Sequence, residues 1–297
     1  MTGPRAVATA CNGTPSSAVP ARVLHLRFTR APDGCTFIGH QHAPYPFHIG
    51  KALRLSGDPP EMATVYVQSC SGGLYEAERL RLDIDVGPQA MACVTTQAST
   101  IVHSMTAGSV AQSTAIRVDP GGMLEYLPDP LILFPEARIA ADTTVVIADD
   151  AQAIFSESFL AHDPQGHGRP FGSFSSALRI EDRAGRLLAC DRFNIEGDRF
   201  AAMSAAGESA YGAHGTMTLL ADADHNARGL DLVRRRMAND RSRFGDTYAG
   251  ASLLPGRRGV WLRLLARDGV ALRRLMTVAW MALRETLTGR LPEARRK

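Results

Sequence analysis

Residues 80–86 read Leu-Arg-Leu-Asp-Ile-Asp-Val. Leu80, Leu82, Ile84 and Val86 fall on one face of an extended chain, and Arg81, Asp83 and Asp85 on the other, because successive side chains of a strand point to opposite sides. Gly87-Pro88 closes the segment, since proline fixes φ and donates no backbone hydrogen bond. The same reading extends outward in both directions. Upstream, Thr64–Ser69 is a strand, and Leu24, Leu26 and Phe28 alternate with His25 and Arg27. Five prolines at 32, 44, 46, 59 and 60 keep the stretch between these two mostly extended or turning. Downstream, Met91–Thr96, Thr100–Met105, Ser113–Val118, Met123–Tyr126, Leu131–Phe134, Thr143–Ala148 and Ala153–Glu157 continue the series, with a Gly121-Gly122 turn. Ser176–Glu181 and Arg186–Asp191 flank the hairpin signal Ala184-Gly185, and Thr216–Leu220 and Gly259–Ala266 add two more strands. Short strands recurring at roughly 8–15 residues predict a sandwich, a barrel or a solenoid. No strict repeat is present, which argues against a leucine-rich or pentapeptide solenoid.

Helices collect at the C-terminal end. The spacing predicts them over residues 227–240, with Leu230, Val233 and Met237 on one face, and over 268–288. Asp268 is positioned to cap the second and Gly289 to end it. Its apolar stripe is Leu272, Leu275, Met276, Ala279, Leu283 and Leu287; Arg273, Arg274 and Arg284 lie off that stripe. Residues 1–20 are small and polar and are expected to be a flexible tail, leaving 21–297 as a single domain.

Composition bounds the function. The 297 residues are 45% apolar and 21% charged, enough apolar content to bury a core and to exclude bulk disorder. Thirty-three basic against thirty acidic residues give a net charge of +3, with no basic stripe of the kind a nucleic-acid binder carries. Only Lys51 and Lys297 are lysines, so the positive charge is nearly all arginine. Cysteines at 11, 35, 70, 93 and 190 are odd in number and form no CxxC, which fits a reducing compartment. Ala6–Cys11 is too short for a signal-peptide core, and no run of about 18 apolar residues spans a membrane. A soluble, cytoplasmic protein is expected.

Candidate chemistry is sparse. His40, His42 and His48 stand in GHQHAPYPFHIG. An H-x-H pair on a strand points both imidazoles to one side, as a metal site needs, although the prolines argue for a loop. His162, Asp163, His167 and Arg169 share a Gly/Pro-rich loop and are the polar centre a β-sandwich hydrolase would require. ADADHNARG (221–229) begins like a calcium loop but has Ala227 where glycine is needed and Val233 where glutamate is needed. There is no GxSxG elbow, Walker loop or GxGxxG.

Six strings, taken in order, carry more information: SGGLYEAERLRLDIDV (71–86), VTTQASTIVHSM (94–105), LEYLPDPLILFPEARI (124–139), GRPF (168–171), GRLLACDRF (185–193) and VAWMALRETLTGR (278–290). Together they resemble the urease accessory protein UreD family, called UreH in some organisms, over nearly the whole chain from Arg22 to Leu291. The sequence departs from the family pattern at Glu76-Ala77-Glu78, where G-D usually closes the turn. It departs again after Arg169, where no acid follows, and after TTQAST, where Ile101 and His103 stand.

The resemblance implies a non-enzymatic scaffold with no stably bound cofactor. Such a protein bridges the urease apoprotein to a complex of UreF and the GTPase UreG, and nickel passes toward the urease site through its interior. The implied fold is mainly β, an irregular β-helix-like stack of short strands with a small C-terminal helical part; the strand count alone also fits a β-sandwich. A transit route needs sparse oxygen and nitrogen ligands, because a closed site would trap the ion. Glu78, Asp83, Asp85, His103 and Asp129 are the candidates for that route. The competing readings are the hydrolase built on His162, Asp163 and His167, and a stand-alone nickel-binding protein using His40, His42 and His48.

Overall fold

A computed structural model describes residues 21–205 and 211–293; the expected tail, residues 1–20, lies outside the described residues. The chain begins with β1 (Arg22–Arg30), β2 (Thr36–His42), β3 (Phe47–Ile49), β4 (Ala63–Ser69), β5 (Arg79–Val86) and β6 (Met91–Thr96). It continues through β7 (Thr100–Val102), β8 (Val110–Val118), β9 (Met123–Leu127), β10 (Leu131–Leu133), β11 (Arg138–Ile147) and β12 (Gln152–Ala161). Then come β13 (Ser173–Asp182), β14 (Leu187–Glu196), α1 (Gly197–Ala205), β15 (Ala213–Leu220), α2 (Ala223–Phe244), β16 (Thr247–Leu253), β17 (Val260–Ala266) and α3 (Gly269–Thr288).

The pairing decides between the architectures that strand spacing left open. In one sheet of seven strands the order is β14-β13-β11-β8-β5-β1-β2. Strands β1, β5, β8, β11 and β13 run parallel there. In the second sheet β4, β6, β9 and β12 are parallel in the same way. Along these parallel runs each strand therefore pairs with one a full winding later, and hairpin partners such as β2, β3 and β14 are added only at the sheet ends. The result is a β-solenoid of about four turns with, among the described residues, three α-helices, two of them C-terminal. A sandwich of hairpins would have given antiparallel neighbours. Short β7 and β10 form a third row at one corner.

The corners carry the backbone ladder from turn to turn. Asp119 N–H bonds Val86 C=O, Ala148 N–H bonds Val118 C=O, and Gln152 N–H bonds Gly122 C=O. At the turn before β5, Ala77 adopts φ +67°, the left-handed conformation a glycine takes without cost. Glu76 holds this turn by accepting the N–H groups of Thr106, Ala107 and Gly108, which keeps its carboxyl below the usual range. Ala77→Gly is expected to raise stability by about 0.5–1 kcal/mol, the left-handed penalty less the added freedom of the unfolded chain. A chemical-denaturation midpoint below the parent's would contradict this.

Alternation within β5 is as expected: Leu80, Leu82, Ile84 and Val86 are buried. The helices differ in extent from the expectation. Helix α2 covers 223–244 rather than 227–240, because Asp222 caps it by accepting the His225 N–H and Gly245 ends it at φ 71°. The aspartates that resembled a calcium loop are thus partly a helix cap. Asp268 caps α3 through the Val270 and Ala271 N–H groups, and Gly289 closes it. Arg284, which lies off the stripe of α3 on helical spacing, is fully buried, at 1% exposure. It grips both carboxylate oxygens of Glu125 on β9 at 2.6 Å and also reaches Asp58. Trp280 Nε1 donates to the same Glu125 at 2.9 Å. This buried network fastens α3 to the solenoid. Among the described residues no helix is long and apolar enough to cross a membrane.

Candidate functional site in the solenoid interior

The space between the two sheets is filled in three zones. One apolar cluster contains Ile84, Ile116, Val145, Phe155 and Ile180; another contains Val110, Ile139, Phe159 and Phe174. Between them the inward positions turn polar. Across the first sheet the register aligns Leu82, Thr114, Thr143, Leu178 and Asp191 in one row, and Gln112, Ala141 and Ser176 in the next. From the opposite sheet Glu157 on β12, paired with Thr216 on β15, projects into this band. The Ser176 hydroxyl donates to the Glu157 carboxylate across the interior at 2.6 Å.

Two small cavities meet at Glu157. One, of about 50 Å³, reaches from Gln112, Asp129 and Asp142 to Glu157. The other, of about 30 Å³, runs from Glu157 to Asp191, Phe193 and Trp261. Tyr126, Thr143 and Ser156 line both. Each is large enough for a water molecule or a cation of similar size. The Glu157 carboxyl borders both cavities, so the residue retains intermediate exposure, yet protein packs densely around it. Burial therefore pushes its pKa up to about 7; the nearby Asp191 and Asp142 add to the rise, and the Ser176 hydrogen bond and Arg263 partly offset it. Asp191 is itself held by Arg263 at 2.8 Å.

Of the expected path residues, Asp129 alone lines these cavities; its backbone N–H donates to Thr96 Oγ1. Asp83 and Asp85 stand on the opposite side of β5 from its buried leucines, where Asp83 pairs with Arg81 and Asp85 with His25. Glu78 closes a turn by accepting the Tyr75 N–H at 2.9 Å. His103 stacks on the Tyr75 ring with centroids 4.4 Å apart and bonds the Gly72 carbonyl. Glu157, Asp142 and Asp191 escaped the sequence reading. The available signal was Glu157 itself, the one acid in the inward phase Ala153, Phe155, Glu157, Phe159.

The rival clusters do not assemble. Asp163 is held by Arg169 through two side-chain hydrogen bonds at 2.8 and 3.0 Å, which drives its carboxyl far below the usual range. His162 instead packs toward the Phe134 ring. His40 and His42 lie on strand β2, against the loop that the prolines argued for, while His48 sits on β3 in the other sheet. Among the described residues no group of three or more His, Cys, Asp or Glu is placed to hold a metal ion.

Comparison with known proteins gives a consistent answer. The family model described as UreD urease accessory protein matches residues 21–297. Urease accessory protein UreD 1 of Pseudomonas syringae pv. syringae (strain B728a) is 36% identical over 286 residues, covering 95% of this chain and 98% of the relative. Urease accessory protein UreD 1 of Methylorubrum extorquens (strain PA1) is 41% identical over 284 residues, covering 95% and 94%. Urease accessory protein UreD of the archaeon Haloarcula marismortui is 34% identical over 278 residues, covering 92% and 90%.

Proposed function

The chain belongs to the UreD urease accessory protein family, non-catalytic factors of urease maturation, and from that premise we propose that it joins the urease apoprotein to the UreF–UreG complex and passes nickel along its polar interior band. The observation that carries this reading is the pair of cavities meeting at Glu157 between two dry cores. A solenoid built only for rigidity gains nothing from a carboxyl there, since a buried ionisable group is costly unless it is used or paired. Hydroxyls and carboxylates suit a hard-to-borderline divalent ion in transit, and too few of them converge to trap it. On this reading Asp129, Glu157 and Asp191 offer successive oxygen ligands, and Glu78, Asp83, Asp85 and His103 stand aside from the path. The assignment to the cytoplasm rests on the sparse, odd-numbered cysteines of the sequence, which form no CxxC pair.

Thr143 borders both cavities, so Thr143→Trp plugs the band. Purified urease apoprotein, UreF, UreG and the variant are expected to co-purify as the parent set does, while nickel content and activated urease fall at least tenfold. Overpacking costs about 1–3 kcal/mol, so Glu157→Leu, which removes the carboxyl with little added volume, serves as the second variant. Full loading with both variants in an intact assembly would overturn the conduit.

A further inference from the structure

The second sheet outruns the first. Beyond β12 it continues through β15, β17 and β16, whereas the first sheet stops at β14. Strands β14 and β16 are thus terminal strands; β17 meets β14 through Arg263, which holds Asp191 and lies over the Phe193 ring, and beyond that contact the two sheets part. The gap is a groove of about 570 Å³ walled by Phe193 and Ile195 of β14, Phe200 and Met203 of α1, and Tyr248 and Leu265 of the second sheet. Met203 is 65% and Tyr248 55% exposed, large apolar exposures that mark interaction surfaces when they cluster.

We propose that this groove docks an extended segment of a partner protein bearing an apolar side chain and a neighbouring carboxylate. The edge of β14, where the first sheet ends, borders the groove, and an added strand pairs with such an edge, whereas on β16 the Ala251 carbonyl already accepts from Arg234. The groove wall also carries two buried donors without a partner among the described residues, Trp261 Nε1 and Arg263 Nε, and these call for an acceptor. At the rim Arg241 lies over the Tyr248 ring at 5.4 Å, is exposed, and makes no ion pair among the described residues. A carboxylate on the incoming segment complements it. The apolar wall excludes a purely polar or basic segment, and the β14 edge favours extended backbone over a helix. The smaller interior cavity shares Phe193 and Trp261 with this groove, so the docked segment would sit at one end of the polar band. The inference rests on the assembly role proposed above and not on the conduit.

The test measures Kd for purified UreF–UreG complex and for purified urease apoprotein against the full chain. Met203→Asp and Arg241→Glu are expected to weaken one of the two partners at least tenfold, with Arg241→Lys close to the parent. Arg117→Glu, on the outer face of the first sheet, is expected to change neither. A photo-activated cross-linker placed at position 203 is expected to capture an acidic, apolar segment of the affected partner. Parental Kd values for both partners with both variants would overturn the docking site, and a cross-link to a basic or helical segment would overturn its occupant. Failure of the parent chain to bind either partner would remove the assembly role as well, whereas the Thr143→Trp loading result judges the conduit separately.

Discussion

Arg284→Ala is expected to cost about 3–5 kcal/mol of stability, the range for removing one partner of a buried ion pair. The guanidinium sits at 1% exposure and meets Glu125 at 0%. It supplies two parallel hydrogen bonds to that carboxylate, a third contact to Asp58, and a weak one to Met62 Sδ at 3.2 Å. Truncation leaves a carboxylate in the core without its counter-charge and opens a void beneath Trp280. Its consequence reaches past the local contact, because this network is what fastens α3 to β9. Arg284→Lys is expected to fall short of rescue, since a point charge cannot reproduce the planar two-bond grip. The double variant Arg284→Met/Glu125→Leu is expected to recover only part of the loss, because Asp58 keeps a buried charge that Arg284 no longer meets. Denaturant midpoints at constant m-value measure all three. A loss below about 1 kcal/mol for Arg284→Ala would mean the pair is hydrated and not part of the core.

Glu157→Gln is expected to stabilise the protein in alkaline solution and to do nothing in acid. The folded chain holds the Glu157 proton up to about pH 7, whereas the ordinary carboxyl releases it near 4.5. Between those values the folded state binds more protons than the unfolded one, so stability falls as pH rises through this window. The contribution is fully present below about pH 4.5 and lost above about pH 7. The difference of about 2.5 units between those two values corresponds to as much as about 3 kcal/mol. Glutamine keeps an acceptor for the Ser176 hydroxyl and carries no charge, so it escapes the penalty. The expected result is a stability difference near zero at pH 4.5 that grows to about 3 kcal/mol at pH 8. A difference that stays flat across that interval would show that the carboxyl is not held away from water. The same substitution then separates two roles: a group kept only for packing is improved by glutamine at no functional loss, while a path residue trades nickel loading for stability.

The strands were legible because local periodicity is a property of consecutive residues. Met91–Thr96 coincides with β6, and the alternation of 80–86 correctly assigned its buried face. Caps were equally local: Asp268 and Gly289 bound α3 as their spacing indicated. Elements with weak or interrupted patterns were missed. Strand β2 lies in the proline-rich stretch, β16 alternates small residues, and α1 has only nine residues. Arg284 was misjudged because helical spacing gives its angle around α3 but not the Glu125 waiting at that angle.

What the sequence by itself determined is the mainly β class, the C-terminal helices and, through six ordered strings, the UreD family. These follow from neighbours in the chain. What tertiary structure decided is which strands stack and what their inward rows bring together. Glu157, Ser176, Thr143 and Asp191 come from four different strands, and only winding them into register places two cavities at one carboxyl. A single acid on a strand carries no local mark of that, because its pKa and its neighbours are set by residues many positions away.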